Sequence, residues 1–187
     1  MNVIIFGPPG AGKGTQALNI VKKFNLYQVS TGDLLRSEVK KKSDIGKDIE
    51  NIISKGDFAT DEIVNELIKN VIFDPQKKNK LIFDGYPRSL SQAENLDKLL
   101  NESNQQIDFI FFLNVKKDTI IKRIEKRKIL EMRADDNFAI ILKRYDTYME
   151  TTKPVLDFYS KKTNFHEIDG DEKIHEISNK INQILSV

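Results

Sequence analysis

Nine residues near the start of the chain, Gly7-Pro8-Pro9-Gly10-Ala11-Gly12-Lys13-Gly14-Thr15, carry the clearest chemical signal. They follow a short apolar run, Val3 to Phe6, and precede Leu18, Val21 and Phe24 at helical spacing, so they join a strand to a helix. The spacing from Gly7 to Gly12-Lys13 is that of the Walker A phosphate loop, in the strand–loop–helix setting that loop requires. Glycines let the backbone curl around phosphate oxygens with its N–H groups turned inward and no Cβ in the way. The helix N-terminus adds partial positive charge, and Lys13 adds a mobile full charge for the outer phosphates. Gly10, Ala11, Gly12, Lys13, Gly14 and Thr15 are therefore the expected nucleotide contacts. Gly14 stands where the general pattern has Ser or Thr, and the hydroxyl comes one residue later at Thr15, so the usual side-chain ligand for Mg²⁺ is displaced.

A second chemical group begins at Asp84, in Asp84-Gly85-Tyr86-Pro87-Arg88 after the apolar run Leu81 to Phe83. Asp-Gly and Pro also spell a simple turn. Strand C-termini near a phosphate loop, however, are where the ligand crevice of an open α/β sheet forms. An aspartate placed there can hold Mg²⁺ through the waters that ion keeps. Ser89 and Gln92 have capping-box spacing. Asp33 and Asp61 sit at helix starts, where capping is the expected duty. Arg123 and Arg127 lie one helical turn apart and share a face, followed by Arg133 and Arg144.

The elements that must position these groups alternate short apolar runs with longer helical patterns, the mark of an α/β fold with a parallel sheet. Strands are expected at Val3 to Phe6, Tyr27 to Ser30, Leu81 to Phe83, Phe109 to Val115 and Asn164 to Ile168. Near-continuous apolar strands predict helices on both faces. Between the second and third strands lie about fifty residues of helical pattern, with one stripe at Ile45, Ile49, Ile52 and Ile53 and another at Ile63, Val64, Leu67, Ile68 and Val71. That exceeds one crossover and predicts an inserted helical subdomain. No Gly or Pro occurs between Lys116 and Lys153, where Asp135-Asp136-Asn137 is the expected break and cap.

Length and composition bound the rest. The chain has 187 residues, 39% apolar and 31% charged, which suits a single folded domain. The net charge of +2 lacks the basic excess of a nucleic-acid binder, and the lysine runs are scattered among acids. No run of about 20 apolar residues exists to cross a bilayer, and the N-terminus lacks signal-peptide character. With no cysteine there is neither a disulfide framework nor a cysteine zinc site, and a cytoplasmic setting is expected.

The order and spacing of GPPGAGKGTQA (7–17), STGDLLR (30–36), DGYPRSLSQAE (84–94) and RADDN with a following arginine (133–144) resemble the adenylate kinases, through nearly the whole chain. The resemblance implies a single P-loop kinase domain over 1–187, a three-layer sandwich whose five-stranded parallel sheet runs in the order 2-3-1-4-5. It places an AMP-binding helical insert at 30–59 and a very short lid at 127–133. It implies reversible transfer between ATP and AMP with Mg²⁺, Asp84 holding the metal through water. Thr31, Arg36, backbone at Asp57-Phe58-Ala59, Gly85, Tyr86, Pro87, Arg88 and Gln92 then face AMP. Gln92 reads adenine, caps its helix, or does both. Arg127, Arg133 and Arg144 clamp the transferring phosphoryl group, with Arg133 and Arg144 reaching AMP, and Arg123 lies over the donor base. That base packs near Glu172. Lys13, Arg36, Arg88, Arg127, Arg133 and Arg144 supply six cations against the about six negative charges of ATP plus AMP. Catalysis falls to Lys13, Arg88, Arg127, Arg133 and Arg144. With only Lys128 to Met132 between Arg127 and Arg133, a long zinc-bearing lid is excluded, no structural zinc is expected, and an extended helix or tight loop is predicted. A monomer acting on small molecules, with neither nucleic acid nor membrane as partner, is expected. A UMP/CMP kinase of the same family, or a regulatory nucleotide switch, remains open at this point.

Overall fold

The computed structural model describes residues 1–42, 44–54, 59–131 and 138–186, with the backbone alone at 44, 45, 48, 53, 54, 127–131 and 138. Five strands form, β1 (Val3–Phe6), β2 (Tyr27–Ser30), β3 (Leu81–Asp84), β4 (Phe109–Asn114) and β5 (Phe165–Asp169). They pair in parallel in the order β2-β3-β1-β4-β5, as expected. Parallel neighbours need crossovers, which α-helices supply. These are α1 (Lys13–Phe24), α2 (Thr31–Lys40), α3 (Asp44–Ser54), α4 (Asp61–Ile72), α5 (Leu90–Glu102), α6 (Lys117–Glu131), α7 (Phe138–Thr147), α8 (Lys153–Tyr159) and α9 (Ile174–Leu185).

Alternate residues of each strand face opposite sides, and both sides are covered. Ile4, Phe6, Phe83 and Ile110 pack with Ile68, Leu96, Val155 and Tyr159 on one face. Val3, Ile5, Ile82, Phe111 and Leu113 pack with Ile20, Ile124, Ile177 and Ile181 on the other. The four residues of β1 are all buried, which is why its sequence is unbroken apolar rather than alternating.

The strand order reverses at β1, between β3 and β4, and opens a crevice at the strand C-termini. Asp84 is itself the last residue of β3, in register with Ser30 of β2 and Ile5 of β1. The sheet therefore holds its carboxylate beside the phosphate loop. The expected strand limits move by one residue at β3, β4 and β5, because their edge residues find or lose a ladder partner. The expected helical insert contains α2 and α3, with α4 following. A feature the spacing did not predict is a π-helical segment, Tyr148–Thr152, joining α7 to α8. Pro154 follows in the first turn of α8. Its ring cannot sit against the carbonyl four residues earlier, at Glu150, so the turn before it widens.

Candidate active site

The phosphate loop leaves β1 and becomes α1 with Gly12 as N-cap at φ 94°. Gly10 has φ +82°, and a Cβ there would lie 2.7 Å from Ile124 Cγ1 of α6, so conformation and space both demand glycine. Lys13 Nζ donates to the Gly7 and Pro8 carbonyls at 2.7 and 3.1 Å, which keeps the ammonium over the mouth of the loop. Thr15, two residues further on, is exposed. A Cβ on Gly14 would be 3.6 Å from Asp84 Oδ2, so the loop position that lost its hydroxyl looks onto a carboxylate. Gln28 of β2 donates to that same oxygen at 3.0 Å and orients it.

Arg123 closes this half. Its Nη1 donates to the Ala11 carbonyl at 3.0 Å, and its Nη2 to the Gly170 and Glu172 carbonyls at 2.8 and 3.5 Å. One planar guanidinium thus ties the loop and α6 to the connection after β5. Glu172 binds Lys180 through Oε1 at 2.6 Å.

A second group of contacts centres on Arg88. Its Nε donates to the Gly85 carbonyl at 2.7 Å and its Nη2 to Thr31 Oγ1 at 3.5 Å. The Arg88 backbone N–H donates to Gln92 Oε1 at 2.8 Å, and its carbonyl accepts from Thr152 Oγ1 at 3.1 Å. Loss of hydration, ahead of the neighbouring Arg144 charge, pulls its guanidinium down to about 10, with Arg36 adding to the effect and Asp84 opposing it. Arg88 remains charged at neutral pH. A guanidinium opposed by two neighbouring arginine charges beside the phosphate loop makes a site for a polyanion.

Around this arginine, Thr31 is buried and donates to the Gly85 carbonyl at 2.9 Å. The cap of α2 is Ser30, whose Oγ accepts from the Asp33 N–H, leaving Thr31 for the site. Arg36 pairs with Asp33 across one helical turn. Gly85, at φ +77°, has no room for a Cβ, which would fall 2.8 Å from Arg88 Nη2. Tyr86 is buried with its hydroxyl on Asn65 at 2.8 Å, and burial raises that hydroxyl to about 12. Any ligand contact from Tyr86 would therefore come through its backbone.

The family model for adenylate kinase matches residues 5–164. The chain belongs to the adenylate kinase family. It is an enzyme, a nucleotide phosphotransferase. It is 52% identical to an adenylate kinase of Pelagibacter ubique (strain HTCC1062), with both chains fully covered. That alignment spans 213 positions against the 187 residues of this chain, so the relative carries inserted sequence that this kinase lacks. An adenylate kinase of Caulobacter sp. (strain K31) is 37% identical over 187 positions, covering all of this chain and 99% of the relative. One of Nocardioides sp. (strain ATCC BAA-499 / JS614) is 36% identical, covering all of this chain and 98% of the relative.

The structure gathers Gly14, Thr31, Gln92 and Arg144 around Asp84 and Arg88, with Lys13 on the adjoining loop. Arg127 falls on the backbone of α6, which runs on to Glu131, so the expected extended helix covers the first part of the lid segment. Arg133, Asp57, Phe58 and the Asp135-Asp136-Asn137 break lie outside the described residues. Ala59 is buried with Val64 and Ile68, which leaves its backbone as its contribution. Gln28 and Thr152 escape sequence reasoning, and Asp61, expected only to cap α4, instead reaches across to α5. None sits in a glycine-rich motif, and each acts across elements far apart in the chain.

Proposed function

We propose that this kinase catalyses reversible, Mg²⁺-dependent transfer from ATP to AMP, giving two ADP. The carrying observation is the Arg88 guanidinium, half-buried and crowded by the charges of Arg144 and Arg36 opposite Asp84, beside the phosphate loop. Transfer between two phosphates needs positioning and charge stabilisation more than covalent participation by the protein. The loop backbone and Lys13 would hold the donor phosphates. Arg88, fixed at its head, its N–H and its carbonyl, would present its guanidinium between donor and acceptor. Thr31 and Arg36 would hold the acceptor nucleotide, and Arg127, Arg133 and Arg144 would clamp the moving group. Gln92 would read the acceptor base.

The residues present fit Mg²⁺: a hard carboxylate oxygen, fixed by Gln28, faces the loop at Gly14. Asp84 would hold the ion through water, and the ion would neutralise phosphate charge. The insert at 30–59 and the short lid at 127–133 would close over the substrates and exclude water. The enzyme is proposed to act as a cytoplasmic monomer.

Phosphorylation of AMP, CMP, UMP and GMP, measured side by side with ATP as donor, tests this function. AMP is expected to be the best acceptor. Clear preference for a pyrimidine nucleotide would overturn the assignment.

A further inference from the structure

Asp61 opens α4, where an acid ordinarily serves its own helix, yet its carboxylate reaches across to the start of α5. There Oδ1 accepts from Gln92 Nε2 at 2.6 Å, and Oδ2 accepts from Ser89 Oγ at 2.9 Å and from Ser91 Oγ. The other end of the same amide, Gln92 Oε1, accepts the Arg88 backbone N–H at 2.8 Å. Gln92 is 4% exposed, so its amide has little solvent to turn to. A carboxylate only accepts and a backbone N–H only donates, so both ends of this amide are assigned by chemistry. Turning it over would set oxygen against carboxylate and N–H against N–H. What remains for a ligand is one Nε2–H and one Oε1 lone pair, in a fixed order. The network keeps Asp61 ionised: burial raises its pKa, but the hydrogen bonds from Ser91, Gln92 and Ser89 outweigh that and leave it lowered.

We propose that Asp61 is a specificity-positioning residue that locks the Gln92 amide in one orientation, committing the acceptor site to bases that present a ring-nitrogen acceptor beside an exocyclic amine. Adenine and cytosine carry that edge. Hypoxanthine, guanine and uracil carry its inverse, a ring N–H beside a carbonyl. The inference rests on the reading that Gln92 faces the acceptor base.

AMP and IMP differ only at this edge, so the ratio of their kcat/KM values is the readout. Asp61→Ala is expected to lower the AMP-to-IMP ratio about tenfold, a typical worth for one charge-assisted hydrogen bond in discrimination. Asp61→Asn, whose Oδ1 still accepts from Nε2, is expected to keep most of the ratio. In a Gln92→Ala background, Asp61→Ala is expected to change the ratio no further. If Asp61→Ala does not fold, Asp61→Ser, too short to reach Nε2, carries the same prediction. A wild-type ratio in the Ala or Ser variant, or equal losses for AMP and IMP, overturns the proposal. So does a further change in the Gln92→Ala background, which would mark Asp61 as merely structural. A ratio untouched by Gln92→Ala alone overturns the base-reading role itself, a separate failure.

Discussion

The two halves of the crevice are built by different means. The donor half is made largely of backbone: the curled loop from Gly7 to Thr15, and the carbonyls of Ala11, Gly170 and Glu172 gathered by Arg123. The acceptor half is a relay of side chains from separate elements, in which Thr31 of α2, Asp61 of α4, Gln92 of α5 and Thr152 of the π segment converge on Arg88. A backbone cradle fits any phosphate chain and tolerates sequence change wherever geometry survives. A side-chain relay has orientation, so it can select, and a single substitution can misdirect it. The donor half should therefore fail through geometry and stability, and the acceptor half through rate and selectivity.

The largest expected effect lies where the halves meet. Arg88→Ala should lower kcat for ADP formation by roughly a thousandfold or more, with a small change in melting temperature, since one arginine at such a transition state is worth about 10³–10⁵. Unchanged turnover in a coupled assay would remove Arg88 from the chemistry.

Gly10→Ala tests the backbone half. The added Cβ would press on Ile124 at 2.7 Å from a left-handed backbone, so a loss of about 2 kcal/mol is expected in denaturant unfolding, together with a raised KM for ATP. A variant as stable as the wild type would show that the loop does not depend on that close approach.

Thr152→Val probes the relay at its outer end. Removing the 3.1 Å hydrogen bond to the Arg88 carbonyl should lower kcat several-fold at nearly unchanged KM for ATP, corresponding to about 1 kcal/mol. Thr152→Ser should restore it. A Val variant as active as the wild type beside an impaired Ser variant would mean that the methyl packing, rather than the hydroxyl, is what matters.

The smallest effect is on acid stability. Asp61 has a folded-state pKa below the ordinary 3.8, so the folded state binds fewer protons than the unfolded chain around that pH. Its contribution is complete above 3.8 and fades as pH falls through the lower folded value. Thermal melts taken from pH 5 downward should fall more steeply for the wild type than for Asp61→Asn. Parallel curves would show that the carboxylate stabilises nothing beyond what an amide does.

Features that local chemistry dictates are legible in the chain before any fold is known. A phosphate loop is contiguous because one curl of backbone must bind one ligand, so Gly10, Gly12 and Lys13 are legible at fixed spacing. Strand and helix patterns are legible because burial on both faces forces continuous apolar runs and 3.6-residue stripes. The strand order followed from resemblance in motif order, and hydrogen-bond registers then agreed with it. Which polar groups face one another depends on how the helices pack. Asp61 and Gln92 are 31 positions apart, Gln28 and Asp84 are 56 apart, and Arg88 and Thr152 are 64 apart. No local pattern constrains such pairs. In sequence Asp61 reads as a helix-start acid and Gln92 as half of a capping box. Only when α4 lies beside α5 does the carboxylate reach the amide, because a hydrogen bond extends about 3 Å and packing alone sets which groups come that close.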